Sequence, residues 1–494
     1  FSLKSSRFAA RSTGTGEAAA RAEFDPVVTS VGSYRDATTP TASSLEGTST
    51  PGSSGSNVFI GNLGPGFPSN LGTETQASVP QQKNYAWDLT LTKKFDIGTR
   101  AALSYRYGRF LTNQFFATIN PSYSSSAILD LAQPLLRGGW LAANLSNLRQ
   151  SENQVKIAKE QLRTATHQLV FNVQTAYWDL VYALEDLKVK QESLRLAEIL
   201  KRDNLEKFRA GTMTKLDVTQ ADFEIASRKN EVILAVNTVK NTMDQLRQFV
   251  DPEGIEQRPG EEWFPVDRPL QKGSTAPPLE SALKSAFLHR ADWQEALLNF
   301  TNSEINEDAS RNGLLPRLDF LYRLQYSGVG DNSVDPFRDV LRGEFDTWSV
   351  ALELEFPLGN RSARAGYLKA SLDRRRMQAD VEELRSQIHL EIRESIRGIN
   401  TTLDAIEQTR EALRFAREQL KGEQARLDVG KSTSYKVLEI QEDLAQAQIN
   451  ERRALLDHMI AKAKLELAQG TILEYFGLVA PRSKEAGTGG SNGS

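Results

Sequence analysis

Four histidines, His167, His289, His389 and His458, are the first residues in this sequence that could hold a metal or pass a proton, and their spacing suits neither task. They are scattered over segments with helical periodicity and show no metal-ligand spacing. Cysteine is absent, which excludes disulfides, Cys-ligated zinc and an N-terminal cysteine lipid on the sequence as it stands. Gly14-Thr15-Gly16 lacks the preceding strand and the following Lys-Ser or Lys-Thr that a phosphate loop requires. Asp and Glu are abundant, but on long helices carboxylates are far more often solvated faces than acid–base pairs. The expectation is no enzyme, no metal and no cofactor.

Composition narrows the remaining classes. A formal net charge of −3 over 494 residues supplies no basic field for nucleic acid. Charged residues make up 25% and apolar residues 39%, and no apolar run approaches the ~18 residues of a membrane helix. A β-barrel escapes that test, because only alternate residues of each strand face lipid. The lack of cysteine fits an oxidising envelope compartment, although cytosolic proteins can share it. Phe1 is not an initiator Met and no signal peptide precedes it, so the sequence is expected to be a mature or trimmed product.

The elements show themselves through an internal duplication. Setting Gly211 against Gly430 aligns two long segments without a gap. Leu162 then falls on Val381, Leu169 on Ile388, Val173 on Ile392, Leu180 on Ile399, Leu187 on Ile406 and Leu194 on Leu413. Beyond the glycines, Thr214 meets Thr433, Val218 meets Val437 and Leu246 meets Leu465. Each copy reads as a very long helix, a glycine break and a second helix, with apolar residues at three- and four-residue steps. The spacing predicts helices over 141–210 and 216–250, then over 363–428 and 435–475. Lys207 and Arg209 before Gly211 are the expected cationic end and glycine stop. Taken alone, these helices suit a soluble coiled coil equally well.

The segments ahead of each helical pair change that balance. Leu318, Phe320, Tyr322, Leu324 and Tyr326 alternate with Arg317, Asp319, Leu321, Arg323 and Gln325. Trp348, Val350, Leu352, Leu354 and Phe356 alternate with Thr347, Ser349, Ala351, Glu353 and Glu355. Such period-two patterning, apolar and aromatic-tipped on one side and charged on the other, suits a strand between lipid and a wet lumen. Corresponding strands are expected near 27–35, weakly patterned, and 123–136. Between them, 38–82 is a low-complexity loop, and Tyr85, Trp87, Leu89 and Leu91 with Leu103, Tyr105 and Tyr107 form an extra hairpin around Asp96-Ile97-Gly98-Thr99. Whether that hairpin crosses a membrane or extends outside it stays open, and with it four strands against six.

The order strand, strand, long helical hairpin, twice over, resembles the outer-membrane efflux protein (TolC) family from about residue 18 to 477. Gln133-Pro134-Leu135-Leu136-Arg137-Gly138-Gly139 looks like the family's strand-to-helix junction, echoed by Phe356-Pro357-Leu358-Gly359. Pro swerves the chain out of a sheet ladder and Gly permits the bend that follows, so Pro134, Gly138, Gly139, Pro357 and Gly359 are the junction residues. Arg290-Ala291-Asp292 and Leu315-Pro316 resemble the lead into a family strand, and Phe24-Asp25-Pro26 fills that place in the first repeat. The two glycine breaks match the family's periplasmic tips.

The resemblance implies a mixed α and β membrane protein: a trimeric 12-stranded outer-membrane β-barrel, four strands per subunit, continuous with a long periplasmic α-helical barrel. Its divisions would be an N-terminal segment 1–23, glycine-interrupted and trimmed or atypical, then first-repeat strands in 24–139 and the first helical hairpin in 140–250. A linker 251–278, a short helix 279–313, second-repeat strands 314–358, the second hairpin 359–478 and a disordered tail 479–494 would follow. The implied function is the passive exit duct of a tripartite efflux pump or type I secretion system. Its partners would be two further copies in a homotrimer, outer-membrane lipid, a periplasmic adaptor (membrane fusion) protein and, through it, an inner-membrane RND or ABC transporter. Thr212, Met213, Thr214 and Gly211 at one tip, with Val429, Gly430 and Lys431 at the other, would dock the adaptor. Asp217, Lys436 and Glu439 would form the gate, Lys436 pairing with Asp217 and Glu439 ringing the lumen. Lys436 departs from the family's acidic pattern and Ser432 from its usual cation. The alternatives are a soluble or periplasmic coiled-coil scaffold without a pore, a periplasmic adaptor and an ordinary porin. The strand pattern speaks against the first, the doubled hairpin against the second and the helical content against the third.

Overall fold

The structure, a computed structural model, describes residues 2–38, 81–114, 117–253, 258, 261–267 and 275–478. The low-complexity stretch 39–80, much of the 251–278 linker and the 479–494 tail lie outside the described residues. The chain divides into two compact units, a sheet unit holding 15–152 and 302–375 and a helical unit holding 1–14, 153–301 and 376–494.

In the sheet unit, strands β1 (Val27–Thr38), β2 (Gln81–Lys94), β3 (Arg100–Thr112), β4 (Ser122–Pro134), β5 (Arg317–Gly330) and β6 (Asp346–Glu355) form one sheet in sequence order. Every neighbouring pair is antiparallel. Side chains alternate sides along a strand, so the register decides which residues share a face. Trp87 lies opposite Gly32 and Tyr107, Leu91 opposite Val28 and Leu103, and Leu103 opposite Leu129. Leu129 meets Leu324, which meets Trp348, while Phe320 meets Leu352 and Leu318 meets Leu354. One apolar, aromatic-rich face therefore runs unbroken through all six strands. Away from the strand ends the charges gather on the opposite face, where Asp88 pairs with Arg106 at 3.6 Å and Asp130 with Arg323 at 2.6 Å, each directly across its ladder.

Six strands replace the four that a 12-stranded barrel requires of each of three chains. The reason is the β2–β3 hairpin, which hydrogen bonds between β1 and β4 along its whole length instead of standing apart. Helix α1 (Ser2–Arg21) is a second departure, since a short interrupted segment was expected there. Gly14 and Gly16 weaken that helix by about 1 kcal/mol each relative to Ala but break no hydrogen-bond ladder. Between β5 and β6 an unexpected helix follows; α2 (Trp140–Asn144), α3 (Ser146–Arg209), α4 (Lys215–Val250), α5 (Leu279–His289) and α6 (Ala291–Asn312) precede it, making it α7 (Asp335–Arg342). Pro336 near its start is preset for the first turn, and Gly343 (φ +67°) closes its end. It lies on the apolar face, with Phe337 edge-on to Tyr105 at 6.1 Å. A Cβ on Gly328 would stand 2.3 Å from the Pro336 carbonyl oxygen, so only glycine admits the helix here.

The helical unit is built around the two hairpins, α3 with α4 and α8 (Arg361–Asp428) with α9 (Ser434–Gln469), followed by the single turn α10 (Ile472–Tyr475). At 1.5 Å per residue the 64 residues of α3 reach about 96 Å and the 68 of α8 about 102 Å. The single helix expected within 279–313 is two, α5 and α6, parted at Arg290, whose extended backbone (ψ 125°) leaves the helical region. Its guanidinium fixes the break by binding Asp292 at 2.7 Å, Glu391 at 2.6 Å and the Ala468 carbonyl at 3.0 Å.

The duplication is visible in the packing. Leu180 and Leu246 are buried with Ala176, Ala183, Val239 and Met243, and Val173 packs against them. Their aligned partners Ile399, Leu465 and Ile392 form a second core with Ile388 and the small residues Ala282 and Ala286 of α5. His167 of α3 is only 4% exposed, and its Nε2 has no hydrogen-bond partner among the described residues. Burial, with Arg163 adding to it, pushes the imidazole down to about 4.

Two predictions follow from this packing. Gly328→Val should lift α7 off the sheet at a cost of about 1–3 kcal/mol, seen as faster proteolysis or hydrogen exchange within 335–345 while the other strands keep their protection. The second concerns His167, which is neutral in the folded state and charges more readily when unfolded. Its contribution to stability should be fully present above pH 6.5 and lost as the pH falls from 6.5 to about 4, by up to about 3 kcal/mol. Unfolding measured across that window should lose this slope in His167→Leu.

Candidate functional site

The two tips are closed by the same local chemistry. Gly211 (φ +76°) and Gly430 (φ +70°) occupy the left-handed region that ends a helix. Past them the chain folds back onto the last turn, the Thr212 N–H donating to the Lys207 carbonyl at 2.9 Å and the Lys431 N–H to the Arg426 carbonyl at 2.8 Å. Thr214 and Thr433 then cap the returning helices, each hydroxyl accepting from a backbone N–H three residues on. Space around both glycines is open, and Val429 is 68% exposed. Thr212, Thr214 and Lys431 are exposed as well, while Met213 is half-buried, its sulfur 3.9 Å from the Ser434 hydroxyl.

The gate residues are placed differently from the expected pairing. The Asp217 carboxylate completes a capping box, accepting from the Thr214 N–H at 3.0 Å and its hydroxyl at 2.6 Å. Lys436 binds Glu439 on its own helix at 2.8 Å, and this hydrogen bond raises the ammonium above its ordinary value. Residues three apart lie on one helix face, so Lys436 reaches Glu439 with no help from tertiary structure. The Asp217–Lys436 bridge is not formed in the chain, and Glu439 is not left unpaired.

What joins the hairpins near their tips is buried and polar. Arg228 of α4, 4% exposed, donates to the Ser193 carbonyl of α3 at 2.9 Å and the Leu438 carbonyl of α9 at 3.0 Å. It also reaches the Gln441 side chain at 3.4 Å, and burial lowers its pKa. Ser434 of α9 donates to the Asn204 side-chain oxygen of α3 at 2.9 Å, both residues being buried. Around these bonds one apolar cluster draws on all four long helices, with Leu200, Ile225, Leu420 and Val437 among its members. Sequence reading missed Arg228, Asn204 and Ser434, because a charged or polar residue on a helix normally signals solvent.

At the strand-to-helix junction, Pro134 is the last residue of β4 and Gly138 adopts φ +78°. The Gly138 N–H donates to Asn312 at 2.7 Å, and the Gly139 backbone precedes α2 in extended form. The second junction turns after Pro357 through Gly359 (φ +83°) and Asn360 (φ +42°), the Asn360 amide donating to the Leu314 carbonyl at 3.1 Å.

Comparison with known proteins decides what this arrangement is. The sequence profile of the outer membrane efflux proteins matches residues 99–250 and 282–471. The chain belongs to that family. It is thus an outer membrane protein of the efflux channel class, with a periplasmic portion. Among curated relatives, outer membrane protein TolC of Vibrio cholerae is 24% identical over 363 residues, 71% of this chain and 77% of its own. Two solved structures share the fold at low identity. The CmeC outer membrane channel of Campylobacter jejuni aligns at TM-score 0.62 and 14% identity, covering 95% of this chain and 83% of its own. A membrane protein from Pseudomonas aeruginosa aligns at 0.65 and 17%, covering 95% and 90%.

The tip geometry ranks its own residues. Arg228→Met removes the bonds to the Ser193 and Leu438 carbonyls, which then keep only the N–H groups of their own helices, and should cost about 2–3 kcal/mol, whereas Thr214→Ala removes a cap worth about 1 kcal/mol. Lys436→Ala breaks an exposed, solvent-screened pair and should leave stability almost unchanged. Urea unfolding followed by helical circular dichroism should return that order.

Proposed function

We propose that three copies of the chain form a passive exit duct through the outer membrane, taking substrates from a periplasmic adaptor and an inner-membrane transporter of the RND or ABC class. The carrying observation is the sheet: one face apolar across the middle of all six strands, the other bearing the pairs Asp88–Arg106 and Asp130–Arg323, with the outer edges of β1 and β6 unpaired among the described residues. Open strand edges are not tolerated in hydrocarbon, so the sheets must close with other copies. The helical hairpins would wall the periplasmic passage, and nothing in this reading asks the chain to act as an enzyme. A coiled-coil scaffold would have no use for the exposed row Trp348, Val350, Leu352 and Leu354 on β6.

The two tips would receive the adaptor. Gly211 and Gly430 let another backbone approach, and Val429 offers an apolar contact beside the Lys431 charge. Thr212, Met213 and Thr214 would supply the matching surface on the first hairpin. The constriction would carry Lys436 and Glu439 as three ion pairs, with Asp217 close by as a capping carboxylate. A neutralised ring favours neither sign of ion strongly, whereas bare carboxylates favour cations.

Reconstituted protein should give a threefold particle with a lipid or detergent belt and a conducting pore. A monodisperse single-copy particle in plain buffer would overturn the duct. Lys436→Ala should raise cation over anion permeability in planar bilayers, and Lys436→Ala with Glu439→Gln should cancel the gain. In cells, Val429→Asp should abolish adaptor-dependent export while leaving the trimer intact. Full export by this variant would remove the docking assignment.

A further inference from the structure

The duct reading leaves open how wide the wall in the membrane is, and the β2–β3 hairpin bears on it. This hairpin is a structural part of the sheet: its pairing occupies the inner edges of both β1 and β4, so no β1–β4 ladder exists for a narrower wall to use. It also has the length and patterning to cross hydrocarbon. On β2 the apolar face runs from Tyr85 through Trp87 and Leu89 to Leu91, bracketed by Lys83 and Lys93 on that same face. A tilted strand needs about 9–11 residues to span a membrane, and β2 has 14.

The lower end of the hairpin is tied to the point where β4 turns into the helices. The Trp140 N–H donates to the Ile97 carbonyl at 3.1 Å, and Thr99 bonds to the Gln133 side chain. Gly98 (φ +90°) is seated so closely that a Cβ there would stand 2.7 Å from the Gly138 carbonyl oxygen. The family match starts at residue 99 and so contains β3, β4, β5 and β6, while β1 and β2 lie before it.

We infer that each copy contributes all six strands, and that three copies close β6 of one against β1 of the next into an eighteen-stranded wall in place of a twelve-stranded one. The inference rests on the three-copy duct proposed above. The outer edges of β1 and β6, unpaired among the described residues, suit each other. Five successive antiparallel pairings leave β6 antiparallel to β1, so the joint between copies repeats the geometry inside each copy. Both edges present an apolar row on the same side, Val28 and Tyr34 on β1 and Trp348, Val350, Leu352 and Leu354 on β6, all more than half exposed in the single chain. Six strands closed on themselves would leave no room for Asp88, Arg106, Asp130 and Arg323, since even eight strands only just enclose their own side chains. At about 4.8 Å between strands and about 40° of tilt, eighteen strands give a wall about 36 Å across and twelve about 24 Å. The mouth then has about twice the cross-section of a twelve-stranded one.

Two experiments on the full chain test this. Electron cryo-microscopy of the protein in lipid nanodiscs should resolve eighteen strands around a threefold axis. Twelve strands around that axis would overturn the inference and leave the duct standing, whereas the absence of any threefold particle would overturn the duct itself. The sequence contains no cysteine, so engineered pairs report without background. Gly32→Cys on β1, combined in turn with Trp348→Cys, Val350→Cys and Leu352→Cys on β6, should yield disulfide-linked trimers on denaturing gels with at least one partner. Tyr107→Cys with Ser125→Cys, opposite each other on β3 and β4, should close only within a chain. Failure of all three β1–β6 pairs while this control forms would overturn the joint.

Discussion

A peptide group in hydrocarbon has no water to fall back on, and an unpaired N–H or carbonyl there costs several kcal/mol. Each strand therefore needs a neighbour on both sides. Among the described residues β2 to β5 have them, and β1 and β6 each lack one. The same demand explains why the alternation is kept so strictly across the register. A slip of one residue in any ladder would move the row Phe320, Tyr322, Leu324 to the charged face and bring Arg323 onto the face that would meet lipid in the proposed wall. The cross-strand pairs Asp88–Arg106 and Asp130–Arg323 oppose that slip, because each is satisfied only in the observed register. Their own energies are small at exposed sites, about 0–1 kcal/mol. The register is held chiefly by the apolar face.

Away from the sheet, the constraint is different: helices of 64 and 68 residues must stay straight and paired along their length without a globular core. The duplication answers it by supplying two equivalent apolar seams, one centred on Leu180 and Leu246 and the other on Ile399 and Leu465. Near the tips the apolar cluster gathers all four helices, and specificity passes to buried hydrogen bonds from Arg228 and Ser434. A buried guanidinium with three protein acceptors is satisfied in only one relative position of α3, α4 and α9. This fixes the register of long rods whose apolar rows alone would tolerate sliding.

What could be read in the sequence was whatever repeats. Period two exposed β5 and β6, and the Gly211–Gly430 alignment exposed both hairpins with ends correct to a few residues. The hairpin around Gly98 was legible as a hairpin, but its place in the sheet was not, because pairing is a tertiary fact and β1 is poorly patterned. Ser30 and Gly32 hold apolar-face positions on β1 and take their assignment only from Leu89 and Trp87 opposite. Helix α7 was hidden because its eight residues are too short for a periodicity and lean on Gly328 of another element. Helix α1 was hidden by Gly14 and Gly16. For the candidate site, the glycine stops and junction prolines were legible through backbone chemistry. The Asp217–Lys436 pairing was expected by analogy between the two tips, but each charge has a nearer partner on its own helix.

The relative sizes of these interactions bear on how a tip could open. Separating the first hairpin from the second within one chain would pull Arg228 from the Leu438 carbonyl and Ser434 from Asn204, and would expose Val437 and Leu438. Charge-assisted buried bonds contribute about 1.5–3 kcal/mol each, and the apolar contacts add to that. Exposed pairs such as Lys436–Glu439 contribute far less. In the proposed duct the Lys436 and Glu439 charges would therefore tune which ions pass, but would not hold the tip shut against a force that moves the helices. The lock is not at its optimum either: the Asn204 amide nitrogen is buried with no hydrogen-bond partner among the described residues, an unmade bond that lowers the stability of the joined state. In the proposed docking, a partner that gave this nitrogen an acceptor, or admitted water to it, in the separated state would recover part of what the separation costs and so couple binding at the tip to the bonds buried behind it.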